Sequence, residues 1–309
     1  MGSVAYREMM FRGIGNQERE EHRRQMKSIS HALEVLLLFS DARKSLSVTE
    51  VARQTGLHKS TVSRILSTLA KARFVARDAD TGRYTLGFGI LSLAGAVLAR
   101  YQLPSAARQE LERLADTTGE TVTVSGWNGI EAVNVDQILG RGGVKNFAPP
   151  GRTNPAHCTA TGKTYLAYAN ETTVRAILSR PLQRLTDQTI TNRAVLLRQL
   201  AQVRERGYAV GDREFLEDVC ALAAPVFNAQ GNVAYVIAIT IPSFRFAKRD
   251  PHEWAQALLM TTRELSARLG YSSRSWRPSA NSPPTRHSSN ASSRSMRRWR
   301  TRSRSTRKN

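Results

Sequence analysis

The amino-acid sequence predicts an α+β protein with an N-terminal winged helix-turn-helix and a larger second domain on a mainly antiparallel sheet. A length of 309 residues suits about two domains. Two short helical patterns joined by a glycine turn precede a hairpin pattern, and six short β-rich runs alternate with helical segments further on. The expected divisions are a flexible arm over 1–27, the winged helix-turn-helix over 28–87, a linker helix over 88–102, the second domain over 103–270 and a disordered Ser/Arg-rich tail over 271–309.

The first domain opens with helical spacing over 29–39. Apolar residues recur every three or four positions, which predicts a helix with one buried stripe. The predicted stripe comprises Ile29, Ala32, Leu33, Leu36 and Leu37. Ser47 and Glu50 have the spacing of a capping box, which predicts a short second helix. Gly56 supplies the turn into a third helix over about 58–72, and these two helices form a helix-turn-helix signature.

The third helix has an apolar stripe and, opposite to it, short hydroxyls and two cations that suit phosphate oxygens and base edges in a major groove. Residues 74–77 and 83–86 predict a hairpin beside it, the wing. The hairpin favours DNA binding over the alternative, a solvated helix face in an ordinary bundle. The candidate DNA contacts are Ser47, Thr49, Lys59, Ser60, Thr61, Ser63, Arg64, Ser67, Arg77 and Arg83.

Residues 88–100 predict an apolar linker helix, with Phe88, Leu91 and Leu98 on one side, that we expect to pair with a second copy. The second domain begins with an amphipathic helix over 104–118. The remaining predicted strands cover 121–125, 131–138, 144–147, 208–212, 219–227 and 233–241, and the helices cover 162–169, 174–178, 192–206 and 251–269.

The formal net charge of +21 indicates a polyanionic partner. Eleven of the basic residues lie in 272–309 without any acid, which leaves about +10 on the rest of the chain. The tail either adds nonspecific phosphate attraction or contributes nothing specific, as a shifted reading frame would. Without a long apolar run or a leader-like segment, we expect a cytoplasmic protein with no membrane partner, and free thiols at Cys158 and Cys220.

Several segments resemble the IclR family of bacterial transcriptional regulators, in order and over about 28–270. Residues 47–66 and 83–87 resemble its DNA-binding region. Pro155-Ala156-His157-Cys158-Thr159-Ala160-Thr161-Gly162-Lys163 resembles its Pro-Leu-His-x-Thr-Ala-x-Gly-Lys segment. The closing region matches at 206–208, Glu214, 223–226, Gly231 and 241–242. His58 stands where many members carry proline, and Asp218 where glycine is usual, which leaves the local turn open.

The resemblance implies a repressor or activator that binds double-stranded operator DNA as a homodimer or dimer of dimers. It also implies a GAF-like second domain that binds a small metabolite, and family habit favours an organic acid. Backbone N–H groups of Ala160 and Thr161 would face a carboxylate. The implied effector contacts are Val144, Phe147, His157, Ala160, Thr161, Asp212, Glu214, Cys220, Ala221 and Thr240. For His157 and the two cysteines, buried structural roles are the favoured alternative.

No catalytic, metal-binding or cofactor motif emerges from the sequence. Residues 161–164 resemble the end of a P-loop, but position 157 is histidine where that motif needs glycine. We therefore expect a regulator without a cofactor and not an enzyme. Two alternatives stay open: a GAF-like redox enzyme that uses Cys158 or Cys220, and an architectural DNA-binding protein without an effector.

Overall fold

The computed structural model describes residues 27–40, 43–100, 105–142 and 148–272. The chain divides into two compact units between Gln102 and Leu103, and each is described by itself. Nearly all of the predicted arm and tail, and the predicted strand over 144–147, lie outside the described residues. The described residues contain no helix that is long and apolar enough to span a membrane.

The first unit is a winged helix-turn-helix, as predicted. Its elements are α1 (27–37), β1 (Ser45–Leu46), α2 (Val48–Thr55), α3 (Lys59–Lys71), β2 (Val75–Arg77), β3 (Tyr84–Leu86) and α4 (Phe88–Arg100). The three strands form an antiparallel sheet in the order β1-β3-β2. The two-residue strand β1 was not predicted.

Local hydrogen bonds define the helix-turn-helix and the wing. Ser47 Oγ accepts from the Glu50 N–H at 3.2 Å, and Glu50 Oε2 accepts from the Ser47 N–H at 2.7 Å, so the predicted capping box is present. Gly56 ends α2 with φ 69°, a left-handed conformation that glycine adopts without steric cost. At the wing tip, Asp78 Oδ1 accepts from both the amide and the hydroxyl of Thr81 at 2.7 Å.

The buried face predicted for α1 is wrong in part. Val35 and Phe39 enter the core of the unit with partly buried Ala32 and Leu36, whereas Leu37 is 81% exposed. Ile29 and Leu33 are exposed too. Residues 35–39 are apolar in every direction, so spacing alone could not choose the face, and contacts with α2, α3 and the sheet decide it.

The second unit is an α+β domain, which confirms the predicted class. Its elements are α5 (Ser105–Thr118), β4 (Thr121–Trp127), β5 (Ala132–Ile138), β6 (Thr153–Asn154), α6 (Ala160–Tyr168), α7 (Glu171–Leu178), α8 (Arg193–Arg206), β7 (Ala209–Asp212), β8 (Val219–Phe227), β9 (Val233–Pro242), α9 (Ser243–Phe246) and α10 (Pro251–Arg268). The six strands among its described residues pair antiparallel in the order β6-β5-β4-β9-β8-β7. The short elements β6 and α9 were not predicted.

Helices cover both faces of this sheet, because its strands alternate apolar residues between two cores. On one face α5 and α10 pack with Leu222 of β8. On the other, α6 and α8 pack with the neighbouring Ala223. The second face also holds the start of α6, which positions the ligand cavity described below.

Candidate nucleic-acid interface and ligand cavity

Helix α3 separates an apolar face from a polar one. Val62, Ile65, Leu66 and Leu69 are buried, as their spacing predicts. Six predicted contacts are exposed on the rest of the helix: Lys59, Ser60, Thr61, Ser63, Arg64 and Ser67. Thr49 on α2 is exposed as well, whereas Ser47 is half-buried as the cap of α2. The structure therefore presents a basic, hydroxyl-rich surface of the kind that double-stranded DNA can accept.

The two predicted wing arginines have different surroundings. Arg77 is exposed on β2. The guanidinium of Arg83 instead donates to Ser45 Oγ and Ser45 O at 2.9 Å and lies 2.8 Å from Glu50 Oε2. These contacts give Arg83 a structural role in joining β3, β1 and α2, and its phosphate contact stays a prediction.

The same contacts set the charge of Glu50. Its carboxylate accepts from the Ser47 backbone and is hydrogen-bonded with the Ser47 side chain and Arg83, which together lower its pKa from the ordinary 4.5 to about 2. Glu50 is thus an anion that holds the helix-turn-helix and the wing strands together.

Helix α4 exposes an unusual amount of apolar surface for a short helix. Phe88 is 82% exposed and Leu91 is 62% exposed. Leu93 and Val97 are exposed with them. At helical spacing Phe88 and Leu91 lie on one side and Leu93 and Val97 on another, so exposed apolar side chains surround much of α4, as is typical of a helix that packs against another molecule.

A cavity of about 170 Å³ opens in the second unit at the start of α6. It also touches β4, β5, β6, β8, β9 and the β7–β8 connection. Five predicted effector residues meet there, although their contact with a ligand stays a prediction: Ala160, Thr161, Glu214, Ala221 and Thr240.

Three other predicted effector residues do not line this cavity. His157 is buried, with Nε2 2.9 Å from the backbone oxygen of Gln183, so its structural role is satisfied. Cys220 neighbours Ala221 on β8, and strand alternation places it in the core on the opposite face of the sheet. Asp212 pairs with Cys220 across the strands and accepts from its Sγ at 3.3 Å. The predicted contacts Val144 and Phe147 lie outside the described residues.

The start of α6 offers hydrogen-bond donors to the cavity. Thr159 caps the helix, and its Oγ1 accepts from the Gly162 N–H at 2.9 Å. The first amides of an α-helix have no acceptor within the helix, so those of Ala160 and Thr161 remain for another group. Both residues line the cavity, at the positive end of the helix dipole.

Several polar cavity residues were missed by sequence reasoning: Thr123, Asn134, Arg152, Asn154 and Asp218. Asn134 Oδ1 accepts from Ser125 Oγ at 2.9 Å and from Asn154 Nδ2 at 2.8 Å, so this wall is preorganised. Asn134 is one of three polar residues in the seven-residue strand β5, so no local signal singled it out. Among the described non-glycine residues, only Arg73 and Arg213 have a positive φ, so the φ of Asp218 is negative. The turn at Asp218 therefore does not require the left-handed backbone conformation that glycine would allow.

A buried ion pair lies beside the cavity. Lys163 Nζ donates to Glu214 Oε1 at 2.5 Å and to Gln199 Oε1 at 3.0 Å. Burial lowers the pKa of Lys163 and raises the pKa of Glu214, and their mutual attraction opposes both shifts. Within the described part of the chain, no group forms a hydrogen bond with Glu214 Oε2. Since Lys163 is buried in this pair, it is not presented to a phosphate as a P-loop lysine is.

Neither cysteine has the environment of a redox thiol. Cys158 and Cys220 are free and buried. Burial raises the pKa of each thiol to about 12, whereas a reactive cysteine needs an accessible thiolate. The described residues also contain no group of side chains that could hold a metal ion.

A winged helix-turn-helix and an α+β unit with a polar cavity define a class: a DNA-binding regulator with a separate ligand-binding domain. The family model for the IclR helix-turn-helix domain matches residues 28–79. The model for the bacterial transcriptional regulator IclR C-terminal domain matches residues 95–267. The chain belongs to the IclR family of transcriptional regulators, with a DNA-binding first domain and an effector-binding second domain.

Named relatives agree with this assignment. The chain is 31% identical to the HTH-type transcriptional regulator BhcR of Paracoccus denitrificans, over 78% of this chain and 86% of that protein. It is 30% identical to the regulator KdgR of Escherichia coli K12, over 80% and 95%. A solved structure of a putative IclR regulator from Silicibacter sp. TM1040 is 30% identical, with a TM-score of 0.68 over 79% of this chain and 97% of that one.

Proposed function

We propose that this regulator binds its operator as a homodimer or dimer of dimers, and that a small carboxylate in the cavity changes the binding. The start of α6 is the observation that carries the proposal. Ala160 and Thr161, whose amides have no acceptor within the helix, line the cavity where the helix dipole favours an anion. The guanidinium of Arg152, which lies over the Phe215 ring, adds positive charge to the same wall.

The cavity favours a short acid. Its volume of about 170 Å³ is below the roughly 300–1,000 Å³ of drug-sized sites. Thr123, Asn154 and Thr240 contribute hydroxyl or amide groups, and Phe215 contributes an aromatic ring. The lining also includes apolar Leu216, Val219 and Ala238, so a compact acid that joins its carboxylate to a small apolar body matches it.

On DNA, we place α3 in the major groove and Arg77 on the sugar-phosphate backbone. Two copies would present α3 to half-sites about 34 Å apart, or at multiples of that distance. The ligand would favour one arrangement of the copies. A coupling of about 1–3 kcal/mol would change operator affinity roughly 5- to 150-fold.

This role uses binding rather than catalysis. The buried, high-pKa thiols speak against the redox alternative. The preorganised cavity speaks against a purely architectural protein, because such a protein needs no polar ligand site. We therefore propose that the chain is not an enzyme.

The direct test is a fluorescence anisotropy titration of the full chain on a duplex selected from a random-sequence library. Acetate, lactate and benzoate are each compared with the corresponding amide at fixed salt. We expect saturable, sequence-selective binding that at least one acid shifts and its amide does not. Equal binding to unrelated DNA, or no response to any acid, would contradict the proposal.

The variant Ala160→Pro tests the carboxylate position. Ala160 is the first residue of α6, where proline fits, and Thr159 before it has the extended backbone that precedes proline. The substitution removes one N–H from the cavity. We expect about tenfold weaker acid binding with the fold intact. Glu171→Pro, at the same position of α7, is the matched control and should leave acid binding unchanged.

A further inference from the structure

His58 caps α3 through its imidazole ring. Its Nδ1 accepts from the Ser60 N–H at 3.3 Å and lies 2.8 Å from Ser60 Oγ. Because a backbone N–H can only donate, Nδ1 is the acceptor in this cap, which leaves the ring N–H on Nε2. The cap therefore fixes both the tautomer and the orientation of the ring.

The second ring nitrogen is an outward-facing donor. His58 is exposed, and Nε2 lies across the ring from the nitrogen that caps the helix. Among the residues that the structure describes, no hydrogen bond or ion pair engages Nε2. The donor thus stands on the surface at the start of the helix that carries the candidate DNA contacts.

The charge around His58 favours an anionic acceptor. Lys59 follows it, and no acidic residue occurs between Glu50 and Asp78. The positive end of the α3 dipole lies at the same place. A neutral N–H donor beside a lysine at a helix start suits a phosphate oxygen, whereas the side chains further along α3 can reach base edges.

We propose that His58 is a DNA-contact residue that donates its Nε2–H to a backbone phosphate of the operator. The proposal rests on the placement of α3 in the major groove. One imidazole then has two roles: Nδ1 stabilises the first turn of α3, and Nε2 fixes that turn against the DNA strand. A proline at this position would supply neither hydrogen bond.

The test substitutes His58→Ser in the full chain and measures anisotropy on the selected duplex and on an unrelated duplex, over a range of salt concentrations. Serine is a preferred cap residue, so the melting temperature should be no lower than that of the wild type. We expect about tenfold weaker binding to both duplexes. The slope of affinity against salt should not change, because a neutral donor displaces no counterion. Lys59→Ala, in contrast, should reduce that slope by about 1.

The outcomes distinguish the proposed contact of His58 from the proposed placement of α3 in the major groove. Unchanged affinity for His58→Ser, with the expected losses for Lys59→Ala and Arg64→Ala, would overturn the contact of His58. A loss confined to the selected duplex would overturn the phosphate assignment in favour of base reading. If all three variants bind normally, the groove placement of α3 fails as well. His252→Ser, at the start of α10, is the control and should bind as the wild type does.

Discussion

At the scale of single residues, the buried Lys163–Glu214 pair has the largest expected effect on stability. Both side chains are almost inaccessible to water, so their mutual attraction must offset a large desolvation cost. Removing one partner leaves the other charge buried and unpaired. Glu214 of this pair also lines the ligand cavity.

We expect Lys163→Met to lower the free energy of unfolding by about 3–5 kcal/mol. The double variant Lys163→Met/Glu214→Leu should recover most of that loss, because it removes the orphaned carboxylate too. Urea denaturation followed by circular dichroism measures both. Arg175→Met, which breaks an exposed pair with Glu171, is the control and should cost about 0–1 kcal/mol. A single variant as stable as the control would contradict the argument.

A second prediction at the residue scale concerns Glu50 and the pH dependence of folding stability. Its pKa is about 2 in the folded chain and 4.5 ordinarily, so the folded state favours the carboxylate. The stabilisation is complete above pH 4.5 and is lost as pH falls from 4.5 towards 2. Glu50→Gln should therefore be less stable than the wild type at neutral pH, and the difference should shrink through that window. Urea midpoints at several pH values test this, and a difference that is constant with pH would refute it.

At the scale of secondary-structure elements, the sequence predicted correctly the elements that are stabilised by residues close to one another in the chain. The capping box, the glycine turn and the apolar stripe of α3 fix their helices within a few residues. The two-residue strands β1 and β6 exist only through distant partners, so no local pattern marks them. The structural role of Arg83 was missed for the same reason, since its partner Ser45 lies 38 positions away in sequence.

The ligand cavity was predictable in part. The resemblance identified the start of α6, which the cavity does contain. Strand alternation could have excluded one of the two adjacent predictions Cys220 and Ala221, because neighbours on a strand face opposite sides. Arg152, in contrast, reaches the cavity from a connection whose path the sequence does not specify.

The alternation of β8 leads to a paired prediction. Ala221→Leu should fill part of the cavity of about 170 Å³ and abolish the response to carboxylates, with DNA binding and melting temperature nearly unchanged. Cys220→Ala, one residue away, should keep the response and cost about 1 kcal/mol of core packing. Anisotropy with and without acid, together with thermal unfolding, distinguishes them. The reverse pattern would place the ligand on the other face of the sheet.

At the scale of the whole molecule, a ligand that binds in the second domain has to act on the DNA-binding surface of the first. A helix-turn-helix alone covers few base pairs, and a small ligand in a separate domain can affect it only through a change in the arrangement of copies or domains. The exposed apolar face of α4 lies in the segment that follows the wing. Burying that face between two copies would supply the arrangement on which a ligand can act.

The last prediction concerns that face. Leu91→Glu places a charge within the exposed apolar surface of α4, and we expect the chain to change from a dimer to a monomer in sedimentation velocity. Operator affinity should fall by about 10²- to 10⁴-fold, because the second half-site would no longer be bound at high effective concentration. Ile130→Glu alters an exposed apolar residue of the second unit and is the control for charge alone. If the Leu91→Glu variant remains a dimer with normal affinity, copies associate through another surface, and the linker helix needs a different role.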